Sequence, residues 1–525
     1  MPIVAPGLEC PPRLRRVNAP RLRRADPLPD CAGRTRAGCY AAFLRLFLLV
    51  LVAIHLVRYW VLPAFDSLWV DESGTWWTIH GSWSEMIHRT AVHPNSRLYG
   101  ALMWAWTQGA GVSEAALRAP SLLAMGGAIA VLSWWVEREV GRGAGWLLAA
   151  LCVASPQLSF LGVDARPYAL AVLLFAVSTV AWVRLLRVWR WPEAAVWVVS
   201  TAALVHAQAV VSLAVLSQLV WLEYRRRDGG LTPRRLLALV ALAVLCLALA
   251  LPEVLRVTGA VQGEYQASVA DGRLGPHSWG WLLPPSVLAP AAVAAGVLAM
   301  ARLGTRERWS AGARRMAAAA VAMILLSALL LAAYTLALRT DLFLMRYAPA
   351  LCLGWLILTA ICAASWTTPR GRAWFAALYM LATLAASVAA QGPFTRHADA
   401  DWRGAMKLVR GWQAGRPAPV LVVTGYVEGG RIRLLRDWRW QEFLQGPVPY
   451  YGHAGPTYVY SGRPDAAVRE YDAGVLRRVE GSRLAAVLYS GEQGGEVLRA
   501  IEQRCGPGRL LGRTFRLEAW AFGPP

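Results

Sequence analysis

Lysine is nearly missing. Lys407 is the only one in 525 residues, so arginine supplies almost all of the 54 positive charges, a bias that points to a GC-rich bacterial genome. Charge of either sign is scarce, at 16% of residues against 56% apolar, with a mean hydropathy of +0.38. A soluble chain has little use for several separate windows of about twenty nearly uncharged residues, whereas a chain that crosses a membrane repeatedly requires them. The cysteines make no disulfide framework. Cys10, Cys31 and Cys39 lie in or beside the N-terminal tail, Cys152, Cys246, Cys352 and Cys362 lie in apolar runs, and Cys505 stands alone in the polar C-terminal region. That region also carries neither a GxGxxG nor a P-loop, so nothing in it argues for nucleotide binding.

Tryptophan is abundant instead, with 26 residues, and indoles collect where a membrane meets water. Acidic residues number only 32, which leaves a net charge of +22. The arginines fall in short runs between apolar segments: "RLLRVWR" (184–190), "RRRDGG" followed by Arg234 and Arg235, and "RLGTRERWSAGARR" (302–315). Cytoplasmic loops under the positive-inside rule look like this, and a nucleic-acid surface does not.

Residues 1–38, rich in Pro and Arg, read as a disordered basic cytoplasmic tail. The run 41–63 is too long for a signal peptide and lacks a small-x-small cleavage site, so it reads as an uncleaved first helix of a transmembrane domain spanning 39–391. Further spans fall at 115–136, 144–162, 166–187, 234–255, 286–303, 316–338, 347–365 and 373–391. The stretch 193–222, with His206 and Gln208 at its middle, is one bent helix or two short ones; 97–112 either crosses or lies along the surface. If 97–112 does not cross and 193–222 crosses twice, about eleven spans result and every Arg-rich loop is cytoplasmic. The first outer loop, 64–96, and residues 392–525 then lie outside. In the latter, "APVLVVTG" (418–425), "TYVYSG" (457–462), "RLAAVLYS" (483–490) and "FRLEAWAFG" (515–523) read as strands. With the helix-like "DWRGAMKLVRGW" and "GGRIRLLRDWRWQEFL" between them, they make a small α/β domain.

Four places carry candidate chemistry. The loop 64–96 holds the adjacent carboxylates Asp71 and Glu72 in "LWVDESGTWW". Such a pair repels itself unless a cation offsets it, and suits either a base that takes a proton from a hydroxyl or a site for a divalent ion. Asp164 and Arg166, in "GVDARPYAL", form either an interfacial ion pair or part of a site. His206, in "ALVHAQAV", is a packing residue or a ligand. Arg346 and Tyr347, in "DLFLMRYAPALCLG", either bind a lipid phosphate or snorkel to the interface. All four fall at the outer surface in the one topology that satisfies the charge rule, where they suit a substrate with a lipid tail and an anionic head.

The order of these motifs, with "HPNSRLY" (93–99), "SEAALRAPS" (113–121), "DARPYAL" (164–170) and "DWRGA" (401–405), resembles the GT-C class of polyprenyl-phosphate-sugar glycosyltransferases. The likeness is to the bacterial branch related to protein O-mannosyltransferases and the lipid A aminoarabinose transferase, and it covers about residues 41–410. It implies an all-α polytopic membrane protein with a small C-terminal extracytoplasmic α/β domain, set in a bacterial plasma membrane. It implies a hexosyl or pentosyl transferase that uses a polyprenyl-phosphate-linked sugar and transfers with inversion to an acceptor the sequence does not name. Asp71 matches the general base, with Glu72 its neighbour and Asp164 in the second catalytic segment. Arg346, Tyr347, His93 and Arg166 match positions for the donor phosphate and lipid, although many relatives read His-Pro-Pro-Leu-Tyr where this chain has "HPNSRLY". Metal use varies among relatives; for a divalent ion, Glu72 and His206 are the candidates. Two other functions share some of these features. A secondary transporter would place charges at the midplane and show an internal repeat, and neither is found. An O-antigen ligase or polymerase would depend on a long outer loop late in the chain, whereas the richest one here comes first.

Overall fold

Small hydroxyl residues and prolines decide where the helices start. Ser113 Oγ accepts the Ala116 N–H, Thr368 Oγ1 accepts the Gly371 N–H, and Pro156, Pro349 and Pro369 each occupy a first helical turn, where no N–H is needed. The computed structural model describes residues 31–92, 96–260, 285–303, 309–338, 345–392 and 395–523. The chain divides into two units, Met1–Leu46 and Phe47–Pro525.

Among the described residues seven helices are long and apolar enough to cross a membrane: Ala42–Phe65, Glu114–Val140, Tyr168–Val188, Pro233–Val257, Ala311–Ala333, Pro349–Trp366 and Pro369–Gln391. An eighth span is a bent pair, Ala144–Ala154 and Pro156–Val163, broken by 69° where Ser155 and Pro156 end one helix and start the next. The remaining expected spans are also helical. One is Pro285–Leu303, and the stretch 193–222 breaks at Gln208 into Trp191–Ala207 and a series of short helices ending at Arg227. Arg97–Ala110 has 14 residues and reaches roughly 21 Å, short of the about 30 Å of hydrocarbon in a bilayer. This is a multi-pass membrane protein. The first helix begins at Cys31, inside the stretch read as a disordered tail, and residues 1–30 lie outside the described ones.

The helices sort their loops into two ends. At one end arginines meet: Arg187 pairs with Glu139 at 2.6 Å, Arg315 with Asp228 at 3.1 Å, and Arg372 donates to the Arg142 carbonyl. The candidate site residues lie at the opposite ends of the same helices, near Arg118, Asp164 and Tyr168.

Beyond the last long helix a five-stranded sheet forms: β1 (Val420–Val423), β2 (Thr457–Tyr460), β3 (Leu484–Tyr489), β4 (Arg509–Thr514) and β5 (Leu517–Phe522), in the order β2-β1-β3-β5-β4. The first three strands are parallel, with Val420 opposite Thr457 on one side and Ala485 on the other, and β5 runs antiparallel to β3 and β4. All four strands expected from the sequence are present. β4 was not foreseen, because it is an edge strand with two arginines, a bulge between Leu510 and Gly512, and no buried side chain. The segments after the parallel strands pack onto the first loop. A Cβ at Gly425 would come within 2.9 Å of Val70, and Tyr426 donates its hydroxyl to the Val70 carbonyl at 2.5 Å.

Close helix packing depends on glycine at several crossings, Gly354 among them. A Cβ at Gly354 would lie 2.7 Å from the Ala320 carbonyl, whereas one at Gly296 would meet nothing within 4 Å. Gly354→Leu is therefore expected to cost about 1–3 kcal/mol by overpacking and to lower the melting temperature in detergent, with Gly296→Leu as the neutral control. Equal melting of the two variants would disprove the close approach.

Candidate active site

Helix Val70–Ile79 starts immediately before the carboxylate pair, so Asp71 and Glu72 sit in its first turn, where the macrodipole favours negative charge. Glu72 is fully buried. It accepts from Arg118 Nε at 2.8 Å and Arg118 Nη2 at 2.5 Å, from the Ala165 N–H at 2.9 Å and from the Trp69 N–H at 3.3 Å. Arg118 spends its other donors on the carbonyls of Pro63, Ala64, Asp66 and Ser67, at 2.7–3.2 Å. Burial opposes charge on Glu72, but the Arg118 guanidinium and then His397 outweigh it, holding the carboxyl well below the usual range.

Asp71 points elsewhere. Its Oδ2 pairs with Arg346 Nη1, both side chains about one quarter exposed, and its backbone carbonyl accepts from Arg166 Nη1 at 3.1 Å. Arg346 lies over the Tyr347 ring at 5.4 Å, and Tyr347 stands edge-on to Tyr168 at 6.1 Å. Tyr347 also lines an apolar crevice with Val210, Leu331 and Ala350.

Asp164 is buried behind this surface. Its Oδ1 accepts the Trp69 indole N–H at 3.2 Å, and its Oδ2 has no hydrogen-bond partner. His397 Nε2 lies 3.4 Å from Glu72 Oε1 and 3.6 Å from Asp164 Oδ1. Both distances exceed a hydrogen bond. Burial pushes the Asp164 carboxyl up, aided by the Glu72 charge and opposed by His397. Burial works against the His397 imidazolium, but Glu72 and Asp164 together carry its pKa above the ordinary value. Asp399 is raised too, by burial and then by the Asp71 charge.

Glu72, Asp164 and His397 each bring a potential ligand atom within 4.8 Å of the others, which raises the question of a metal. The donor set does not fit one. A carboxylate has about four lone-pair sites, and those of Glu72 are taken by two guanidinium and two backbone N–H groups. A divalent ion there would also stand directly beside the Arg118 cation. The expected pairing of Glu72 with His206 is not assembled. His206 Nε2 lies 3.0 Å from the Leu249 carbonyl, its Nδ1 is 3.9 Å from Glu253, and its own carbonyl accepts from Ser96 Oγ at 2.6 Å.

No family model matches this sequence, and no curated protein matches it. Among solved structures, ArnT from Cupriavidus metallidurans bound to undecaprenyl phosphate aligns with a TM-score of 0.54 at 13% identity, over 92% of this chain and 99% of that one. ArnT from the same organism in the apo state aligns with a TM-score of 0.53 at 14% identity, over 93% of this chain and 100% of that one. The chain has the GT-C fold of ArnT. Identity this low speaks for the fold alone.

On the ArnT fold, six of the expected site residues converge: Asp71, Glu72, Asp164, Arg166, Arg346 and Tyr347. His206 stands apart with Glu253, and His93 lies outside the described residues. Sequence reasoning passed over Arg118 and His397. The signals were an arginine inside "SEAALRAPS" at the start of a span, and a histidine four residues before "DWRGA". Removing one member of a buried ion pair costs about 3–5 kcal/mol, because the other is left uncompensated. Glu72→Gln and Arg118→Ala are each expected to lower the melting temperature in detergent sharply, and the double variant by less than the two combined. Strict additivity would show that the pair is not coupled.

Proposed function

We propose that this protein is a membrane glycosyltransferase that moves a sugar from a polyprenyl-phosphate donor to the hydroxyl of a cell-envelope acceptor, with inversion. The observation that carries the reading is Asp71 held by two guanidiniums, Arg346 on its carboxylate and Arg166 on its backbone carbonyl, in a chain with the ArnT fold. Asp71 Oδ2 is engaged by Arg346; among the described residues Oδ1 takes no hydrogen bond, which leaves it for an incoming hydroxyl.

In the step proposed, Asp71 takes the acceptor's proton as its oxygen bonds to the anomeric carbon. The bond from that carbon to the phosphate oxygen breaks, and polyprenyl phosphate leaves with the electron pair. One displacement from the opposite face inverts the configuration. Arg346 and Arg166 meet the charge that grows on the leaving phosphate, the part of the reaction where fixed cations help most. Tyr347, next to Arg346 in the chain, lines a narrow apolar crevice with Val210, Leu331 and Ala350. Undecaprenyl phosphate, bound in one of the two ArnT structures, has this chemistry and supports the reading. Asp164 is fully buried and on this reading supports the site floor without touching substrate.

The arginine-rich ends of the helices suit the cytoplasmic side of a bacterial plasma membrane. That orientation leaves the N-terminus inside and puts the site and the sheet domain outside.

Transfer of radiolabelled sugar from a panel of polyprenyl-phosphate donors, in membranes holding wild type or Asp71→Asn, tests the proposal. Loss of a general base is expected to slow transfer about 10²–10⁴-fold with insertion unchanged. Arg346→Ala should weaken transfer from every donor alike, since it acts on the shared phosphate. Undiminished transfer by Asp71→Asn would remove Asp71 as the base.

A further inference from the structure

His397 belongs to no part of the mechanism above, yet its side chain is only 1% exposed. It lies in the segment between the last long helix and helix Trp402–Gln413, which opens the sheet domain. That segment is fastened to the end of the first span and the start of the first loop. Thr395 Oγ1 donates to the Arg58 carbonyl, and the N–H groups of His397 and Ala398 donate to Asp66 Oδ2 at 2.9 and 3.3 Å. The imidazole packs against the Phe160 ring at 4.9 Å and edge-on to Trp69 at 6.2 Å, so water has little access to it.

The charged groups around the ring come from several elements: Glu72 on the Val70–Ile79 helix, Asp164 after the bent span with Arg166 beside it, Arg118 on the span Glu114–Val140, and Asp66 at the end of the first span, whose carboxylate takes the His397 N–H. Asp399, on the ring's own segment, adds a weaker field. Three carboxylates, Glu72, Asp164 and Asp66, against two guanidiniums, Arg118 and Arg166, leave this group one negative charge in excess. Every lone pair of Glu72 is occupied, whereas Asp164 Oδ2 and His397 Nε2 have no hydrogen-bond partner. One proton on His397 neutralises the set, and a small closing movement turns the 3.6 Å contact with Asp164 into a charged hydrogen bond.

We propose that His397 is held as an imidazolium between Glu72 and Asp164, and that this proton locks the segment leading to the sheet domain onto the loop that carries Asp71. His397 is thus a positioning residue: it touches no substrate and acts through the register of the Asp71 helix. Deprotonation restores the uncompensated charge and loosens the lock. A group whose folded pKa is raised contributes stability fully below its unfolded value, about 6.5, and loses that contribution as pH rises through the folded value. The sensitivity is therefore to alkali.

The test is thermal unfolding of the full chain in detergent from pH 5.5 to 9.5, for wild type, His397→Gln and Asp164→Asn. The wild-type melting temperature is expected to fall above about pH 6.5, and the fall should be absent in His397→Gln, whose amide donates without titrating. In Asp164→Asn, which keeps the histidine but removes one carboxylate, the fall should move about 1–3 pH units lower. That variant also keeps the test decisive if His397→Gln does not fold. Parallel curves for wild type and both variants would overturn the proposal. So would zinc ion alone raising the melting temperature of wild type but not of His397→Gln, because the cluster would then be a metal site. A second readout rests on the transferase reading. The alkaline limb of kcat should shift with the melting curves while KM for the donor stays constant. If no transfer occurs with any donor but the melting curves behave as stated, the function fails and the lock stands.

Discussion

The ion pair between Glu72 and Arg118 is the interaction on which the site depends. Both side chains are fully buried, which would be ruinous for either alone. Together they are sustained by saturation. Arg118 uses its guanidinium to gather four loop carbonyls, from Pro63 to Ser67, and Glu72 uses its remaining lone pairs to hold the Trp69 and Ala165 N–H groups. The pair is therefore less a stabilising contact between two charges than a node that fixes three chain segments. The turn leaving the first span, the start of the Asp71 helix and the turn at Asp164 all take their positions from it.

From that node the sheet domain acquires its place. The ends of parallel strands are where α/β sheets usually present their loops to ligands. Here the loop after β1 is applied to the first loop instead, through Tyr426 on the Val70 carbonyl and on Ser73 Oγ at 3.0 Å, and through Gly425 packed against Val70 and Tyr489. Tyr451 adds a hydroxyl that accepts the Leu68 N–H at 2.8 Å, and Glu442 accepts the Trp77 indole N–H at 2.9 Å. The domain thus closes one wall of the site with its backbone-facing polar groups and leaves the Asp71 side chain to the helices.

How much of this could be read from the sequence follows from the range of each interaction. Span ends are local properties, so hydropathy and arginine placement were enough to bring Asp71, Asp164, Arg166 and Arg346 to one surface. Strand identity in β1, β2, β3 and β5 is also local, written in short runs rich in branched and aromatic residues. The partners of a buried charge are not local. Nothing in the run "SEAALRAPS" says that its arginine will meet a glutamate 46 residues earlier, and a histidine in a polar linker carries no mark of the two carboxylates it will face. His206 stayed open between packing and ligand for the same reason: a polar residue in an apolar run signals a partner but does not name it, and here its neighbours are Glu253 and a helix carbonyl.

The adjacent carboxylates show why position in the chain is a poor guide to role. Asp71 and Glu72 are neighbours, and a single residue step on a helix turns the side chain by about 100°. That rotation sends Glu72 inward to a guanidinium that satisfies it completely and Asp71 outward to one that engages a single oxygen. A carboxylate with every lone pair occupied can organise a site but has none to offer a proton. One with an oxygen free, beside cations that stay charged, is equipped to accept a proton, which is the role proposed for it. Burying the first carboxylate is what lets the second remain at the surface, because the saturated pair of Glu72 with Arg118 holds the loop that presents Asp71.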